Sequence, residues 1–186
     1  MGVPIHQFDS FVQRRNASRR KKKGRGVTAM KSKSPLFSNY SIRRSASADV
    51  SYMSKGNDQF AKFASRRKDI DPDGWYDVIA HGNPKSMIVR SLHGDTFVSA
   101  RQAAAIIRKQ PGFKKAKGIR LLSCSTGQDP AGFAQHLANA LGKPVMAPNK
   151  TLWCSPKGTL YVSSDEWNLD KGSFVTFKPG GIKHGK

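Results

Sequence analysis

The sequence predicts an α/β domain of three layers, with a mainly parallel central sheet and a C-terminal antiparallel hairpin, preceded by a disordered basic N-terminal segment. Three observations lead there. Short apolar runs, Trp75 to Ala80 and Ile119 to Leu122, each end in a small polar turn, as buried strands of a parallel sheet do. Helix-patterned segments at 100–109 and 130–141 follow them and supply the crossovers that parallel pairing needs. From Thr151 onward the texture changes to short β-rich runs separated by turns.

At 186 residues the chain has room for one ordinary domain and an appendage. Its formal net charge of +21 is unevenly placed: seventeen of the 33 Lys and Arg fall in residues 1–70, opposed there by four Asp. Basic runs at Arg14-Arg15, Arg19 to Arg25, Arg43-Arg44 and Arg66 to Lys68 are spaced by Ser, Asn and Gly, with few large aliphatic side chains. Such a stretch buries too little apolar surface to offset the entropy of ordering, so residues 10–55 are expected to be disordered. The division that follows is a basic leader, 1–70, and a folded domain, 71–186. The leader suits non-specific contact with nucleic acid or an acidic membrane, or a targeting role, and equally a solvated tail without a dedicated partner. No stretch reaches the ~18 apolar residues of a membrane span, and no apolar core follows the basic N-terminus as a Sec signal requires. The Ser-rich, acid-poor leader also resembles those of effectors injected by specialised bacterial secretion systems. That resemblance implies entry into a host or target cell by a non-Sec route, with the cytoplasm as the other location.

Taken in order, Phe60 to Arg67 reads as a short amphipathic helix with Phe60, Phe63 and Ala64 on one face. The acidic Pro-Gly turn from Asp69 to Gly74 ends it. The first strand, 75–80, finishes at His81-Gly82, and a short strand follows at Ser86 to Arg90. Ser99 caps a helix from Ala100 to Lys109 that turns Ala103, Ile106 and Ile107 toward the core and stops at Pro111-Gly112. After the strand at 119–122, Asp129 is expected to cap a helix that begins at Pro130, with Phe133, Leu137 and Leu141 facing the sheet and Gly142 as its stop. Pro144 to Pro148 adds a parallel strand. Thr151 to Cys154 and Gly158 to Val162 form the hairpin, and Ser173 to Phe177 a last edge strand.

Open α/β sheets place their chemistry at the carboxyl ends of their strands. Two strands here end by presenting a histidine before glycine, His81-Gly82, and a cysteine among small residues, Ser123-Cys124-Ser125-Thr126-Gly127. A thiolate is a nucleophile, and a neighbouring imidazole can deprotonate it or protonate a leaving group, so the pair is a minimal acyl-transfer device. A buried, inert cysteine at a strand end is the plain alternative for Cys124. The second His-Gly pair, His93-Gly94, sits in a polar connection and reads as an exposed loop; His136 reads as a structural histidine. One disulfide between Cys124 and Cys154 is conceivable, but the framework is too sparse for a disulfide scaffold. No zinc-ligand spacing and no Gly-rich nucleotide fingerprint occurs, so neither metal nor cofactor is expected.

The order of these motifs, strand-His81-Gly82, helix, strand-Ser123-Cys124-Ser125, helix, then Pro144 to Pro148, resembles the caspase-like cysteine peptidases of clan CD. It is most similar to the self-processing cysteine protease domains of large bacterial toxins and to caspase-like modules at the C-termini of polymorphic toxins, over roughly residues 73–181. The resemblance implies a caspase-like fold and a thiol endopeptidase in a secreted toxin or virulence effector. Cys124 would be the nucleophile and His81 the proton donor to the leaving amine. The backbone N–H groups of Gly82 and Cys124 would receive the oxyanion. Asp77 or Asp165 could orient the imidazole, although the family works as a dyad. Ser123, Ser125 and Trp153 are candidates for the substrate cleft, with Trp153 read first as core packing. A protein substrate and a cognate immunity protein are the implied partners. In the toxin domains an inositol phosphate is the activator; Lys85, Arg90, Arg120 or the group Lys114, Lys115 and Lys117 could meet such an anion, without a motif to choose among them. Two further outcomes stay open: a Cys-His deamidase or acyltransferase on the same fold, and a basic nucleic-acid-binding effector whose caspase-like module is catalytically silent.

Overall fold

The computed structural model describes residues 2–4, 43–45, 48–51, 59–69, 74–91 and 94–180. Most of the segment expected to be disordered, and His93, lie outside the described residues. The two apolar runs become the middle of a six-stranded sheet with the order β11 (Phe174–Phe177), β8 (Val145–Pro148), β7 (Gly118–Leu122), β4 (Trp75–Ile79), β3 (Ala48–Ser51) and β2 (Arg43–Ser45). Strands β3, β4, β7 and β8 run parallel, while β11 and β2 pair antiparallel at the two edges. The fold is therefore mixed α/β with a mainly parallel sheet.

The upstream limit differs from the sequence expectation. β3 pairs with β4 inside the sheet, so the folded unit begins before position 71. Ala48–Ser51, Ala-Asp-Val-Ser, has no continuous apolar run to announce it; the open edge of β4 supplies the hydrogen-bonding template instead.

Helices α2 (Ala100–Ile107) and α3 (Phe133–Leu141) cover one face of the sheet, where Tyr76, Val78, Ala80, Ile119, Leu121 and Val145 join their apolar stripes in the larger core. Ser99 and Gln102 close a capping box on α2. α3 starts later than expected. Asp129 accepts the Ala131 N–H and shapes a turn, and Gly132 is the N-cap. The carbonyls of Pro84 and Thr126 take the N–H groups of Phe133 and Ala134, so tertiary contacts set this helix start without a side-chain cap. α2 stops at Ile107, and the Arg108 guanidinium donates to the carbonyl of Ala140. Between β4 and α2 stands a hairpin, β5 (Met87–Ser91) and β6 (Gly94–Val98), of which only the first strand was expected.

The opposite face carries a second layer: a small antiparallel sheet of β1 (Val3–Pro4), β9 (Thr151–Cys154) and β10 (Leu160–Ser163), with helix α1 (Gln59–Ala64) packed on β1 and β9. On this face, in the middle of β4, sits Asp77, fully buried. Arg120, its register partner on β7, donates Nε to Oδ1 and Nη2 to Oδ2, both at 2.6 Å. Arg67, also buried, donates to Oδ2 at 3.1 Å and to Asp69 at 2.7 Å.

Removing the shared acceptor leaves two guanidinium groups with only the half-exposed Asp69 carboxylate between them. Asp77→Ala is expected to lower stability by about 3–5 kcal/mol, measured by urea unfolding. For Asp69, burial would raise the pKa, but the Arg67 hydrogen bond and the charges of Arg67 and Arg120 prevail and hold it below the ordinary carboxylate value. Its folded pKa is thus depressed, so its contribution is complete above the unfolded pKa and is lost as pH falls through the folded one. Unfolding titrations of Asp69→Asn should lack this part of the stability loss below about pH 4.

Candidate active site

Along β4 the side chains alternate between faces: Tyr76 and Val78 join the core under α2 and α3, while Asp77 and Ile79 point to the α1 side. On β7, Ile119 and Leu121 take the first face, Arg120 and Leu122 the second. Ile79 and Leu122 are register partners. His81 and Cys124 each stand two residues beyond that pair, and the ladder continues through Ala80 N–H to Leu122 C=O at 3.3 Å. Continued two residues past the strand ends, that register and alternation put His81 and Cys124 on one face at the carboxyl edge of neighbouring strands, which lie roughly 4.8 Å apart.

The turn that carries Cys124 is held from several sides. Thr126 Oγ1 donates to the Ser123 carbonyl, the Ser125 N–H to Lys150 O at 2.9 Å, and the Gly127 N–H to Pro148 O at 2.9 Å. Ser125 takes a left-handed conformation, φ 52°, a strained choice for a residue with a side chain. His81 is half-buried, and its carbonyl accepts Ile88 N–H. That bridge and the Ala80 bond alternate, which aims the Gly82 N–H toward the Cys124 turn.

The sulfur itself is not open to solvent. Cys124 is 0 % exposed and belongs to the cluster of Phe60, Phe63, Ala64, Ile79, Leu122, Leu152, Cys154 and Val162. The Leu152 N–H donates to Sγ at 3.2 Å, and Sγ lies 3.6 Å from the Leu152 carbonyl oxygen. Both cysteines are free thiols, and burial pushes Cys154 up to about 11. Neither the Leu152 contact nor the shared cluster with α1 had a signal at the cysteine; the apolar face of 60–64 was the available hint.

The other candidates fall elsewhere. Trp153 is a core residue, 8 % exposed, stacked on Tyr161 and donating Nε1–H to Ser163 O. Its ring lies on its cross-strand partner of β10, which agrees with the core-packing reading. Asp77 stands four strand positions before His81, roughly 13 Å back along an extended chain, and serves Arg67 and Arg120 instead. Asp165 binds its own loop, accepting the N–H groups of Trp167, Leu169 and Asp170. Arg120 is committed to Asp77 and Asp69, Lys114, Lys115 and Lys117 are exposed, and the Arg90 side chain lies outside the described residues. Lys85 lines an open groove of about 670 Å³ with Arg101, Asp129, Phe133 and His136; neither His81 nor Cys124 lines it. Among the described residues no cluster of three His, Cys, Asp or Glu side chains could hold a metal ion, and no helix is long and apolar enough to cross a membrane.

Ser123 Oγ is buried without a hydrogen-bond partner, and it fills the place a Cβ on Gly82 would take, 2.3 Å away. Gly82→Ala should therefore cost about 1–3 kcal/mol through overpacking. Ser123→Ala should be neutral or stabilising by up to about 1 kcal/mol, since it removes an unpaired buried hydroxyl, and should relieve part of the Gly82→Ala defect in the double variant. Thermal and urea unfolding of the three variants check this.

No curated protein and no solved structure matches the chain. The family described as a domain of unknown function (DUF8616) matches residues 48–162, a span that begins at β3 and takes in both His81 and Cys124. By that match over more than half its length, the chain belongs to the DUF8616 family.

Proposed function

We propose that the chain is a Cys–His hydrolase acting on peptide bonds, built on a caspase-like frame. The observation that supports this is the register of β4 and β7, whose continuation by two residues puts imidazole and thiol on one face where a parallel sheet ends. In this reading the Cys124 thiolate attacks the scissile carbonyl carbon. The C–N bond breaks as the His81 imidazolium gives its proton to the leaving amine, leaving a thioester on Cys124. His81 then takes a proton from water, the hydroxide adds to the thioester, and the acid product departs as the thiol is restored. In this reading the Gly82 N–H, on the β7 side of its chain, is the candidate donor to the oxyanion. A role as a toxin or effector with a protein target belongs to the same proposal.

One observation favours a second reading, a catalytically silent interaction module: the complete burial of Cys124. Prolonged incubation of the full chain with an acyl-electrophile probe, followed by peptide mapping, separates the two. The hydrolase reading expects label on Cys124, none in Cys124→Ala, and labelling slowed roughly a hundredfold or more in His81→Ala, with each variant melting near the parent temperature. Equal labelling of the parent and Cys124→Ala rejects the nucleophile.

A further inference from the structure

We infer that residues 59–69 form a releasable cover over Cys124, so that the chain as folded is held inactive and the sulfur becomes reachable when α1 lifts. This rests on the reading of Cys124 as a nucleophile and adds what shields it. Phe60, Phe63 and Ala64 of α1 pack in the same buried cluster as Cys124, Leu152 and Cys154. Six residues are too few for a helix to persist alone, so α1 exists through what it leans on and what fastens it.

The fastenings lie at its C-terminal side. Arg66 Nη1 donates to Pro156 O at 2.7 Å. The backbone of Arg66 and Arg67 lies directly on Gly158, where an added Cβ would fall 2.5 Å from the Arg66 carbonyl carbon; Gly158 also holds φ at +86°. Arg67 inserts its guanidinium between Asp77 and Asp69. The proposed cover is thus three apolar side chains in the cluster that encloses the sulfur, held by polar hooks at one end.

The main core does not depend on it. α2, α3 and most of the large buried side chains of β4, β7 and β8 lie on the other face, and the Arg120–Asp77 pair persists without Arg67. A single six-residue helix that leans on the smaller cluster and is fastened at one end is a unit that can open locally, below the cost of global unfolding. Lifting α1 would open the cluster around Sγ from the α1 side, with the Leu152 contact of β9 left in place.

The test is alkylation of Cys124 by iodoacetamide in the full chain, mapped by peptide mass, alongside amide hydrogen exchange and peptide cleavage. Phe63→Ala thins the cover, and Gly158→Ala pushes the fastened backbone off its seat; neither residue is part of the proposed dyad. Each is expected to speed Cys124 alkylation at least tenfold while β7 amides keep their parental protection, with peptide cleavage rising in step. In the parent, alkylation should depend on urea far more weakly than global unfolding does, which decides the matter should either variant unfold. Unchanged alkylation despite faster exchange in α1, or parental alkylation with the full urea dependence of unfolding, overturns the cover. Faster alkylation without cleavage keeps the cover and rejects the peptidase.

Discussion

A carboxylate shut inside the sheet, Asp77, is the constraint on which the rest turns. It stands in the middle of β4 and must find positive charge, which Arg120 supplies from the neighbouring strand at the same register. A slip of one residue between β4 and β7 would turn Arg120 into the apolar core under α2 and α3. A slip of two would keep the faces but carry Cys124 roughly 7 Å along the sheet away from His81. The ion pair therefore fixes which residue of β7 ends beside the histidine. Buried pairs of this kind add little net stability, because desolvation offsets attraction, yet they penalise every wrong alignment.

The same carboxylate reaches into the second layer. Through Arg67 it fastens the stretch that follows α1, and through Arg120 it meets Asp69, so the sheet interior and the segment over Cys124 share one ionic knot. The two faces consequently have different tasks. Under α2 and α3 lies a large apolar core that holds the scaffold; under α1 lies a smaller one that contains the sulfur. The larger cluster thus belongs to the frame that aligns the strands, and the smaller one to the layer that encloses the sulfur.

The legible parts of the sequence were those written in apolar periodicity and turn chemistry. Strands β4 and β7, the Ser99 cap, the Gly142 stop, the hairpin of β9 and β10 and the antiparallel edge strand β11 all follow from runs and breakers that need no tertiary partner to be read. So did the placement of His81 and Cys124 at neighbouring strand ends. β3 was illegible because Ala48–Ser51 is ordered by the edge of β4, and the start of α3 because Pro84 and Thr126 carbonyls, distant in sequence, take its first N–H groups. Asp77 looked like a partner for the imidazole because its chemistry fitted; only the register revealed that it faces Arg120. Burial of Cys124 could not be read at all, since it depends on a helix and a hairpin lying some 60 positions before and 28 positions after the sulfur.

The claim beneath the whole account is that imidazole and sulfur meet at one edge of the sheet. Histidine-resolved NMR of the labelled full chain, comparing the parent with Cys124→Ala, tests it most directly. The account predicts that the ring signals of His81 move while those of His136, exposed on α3, stay in place. Ring signals of His81 that coincide in the two proteins would mean that the imidazole does not sense the sulfur, and the proposed dyad would not exist.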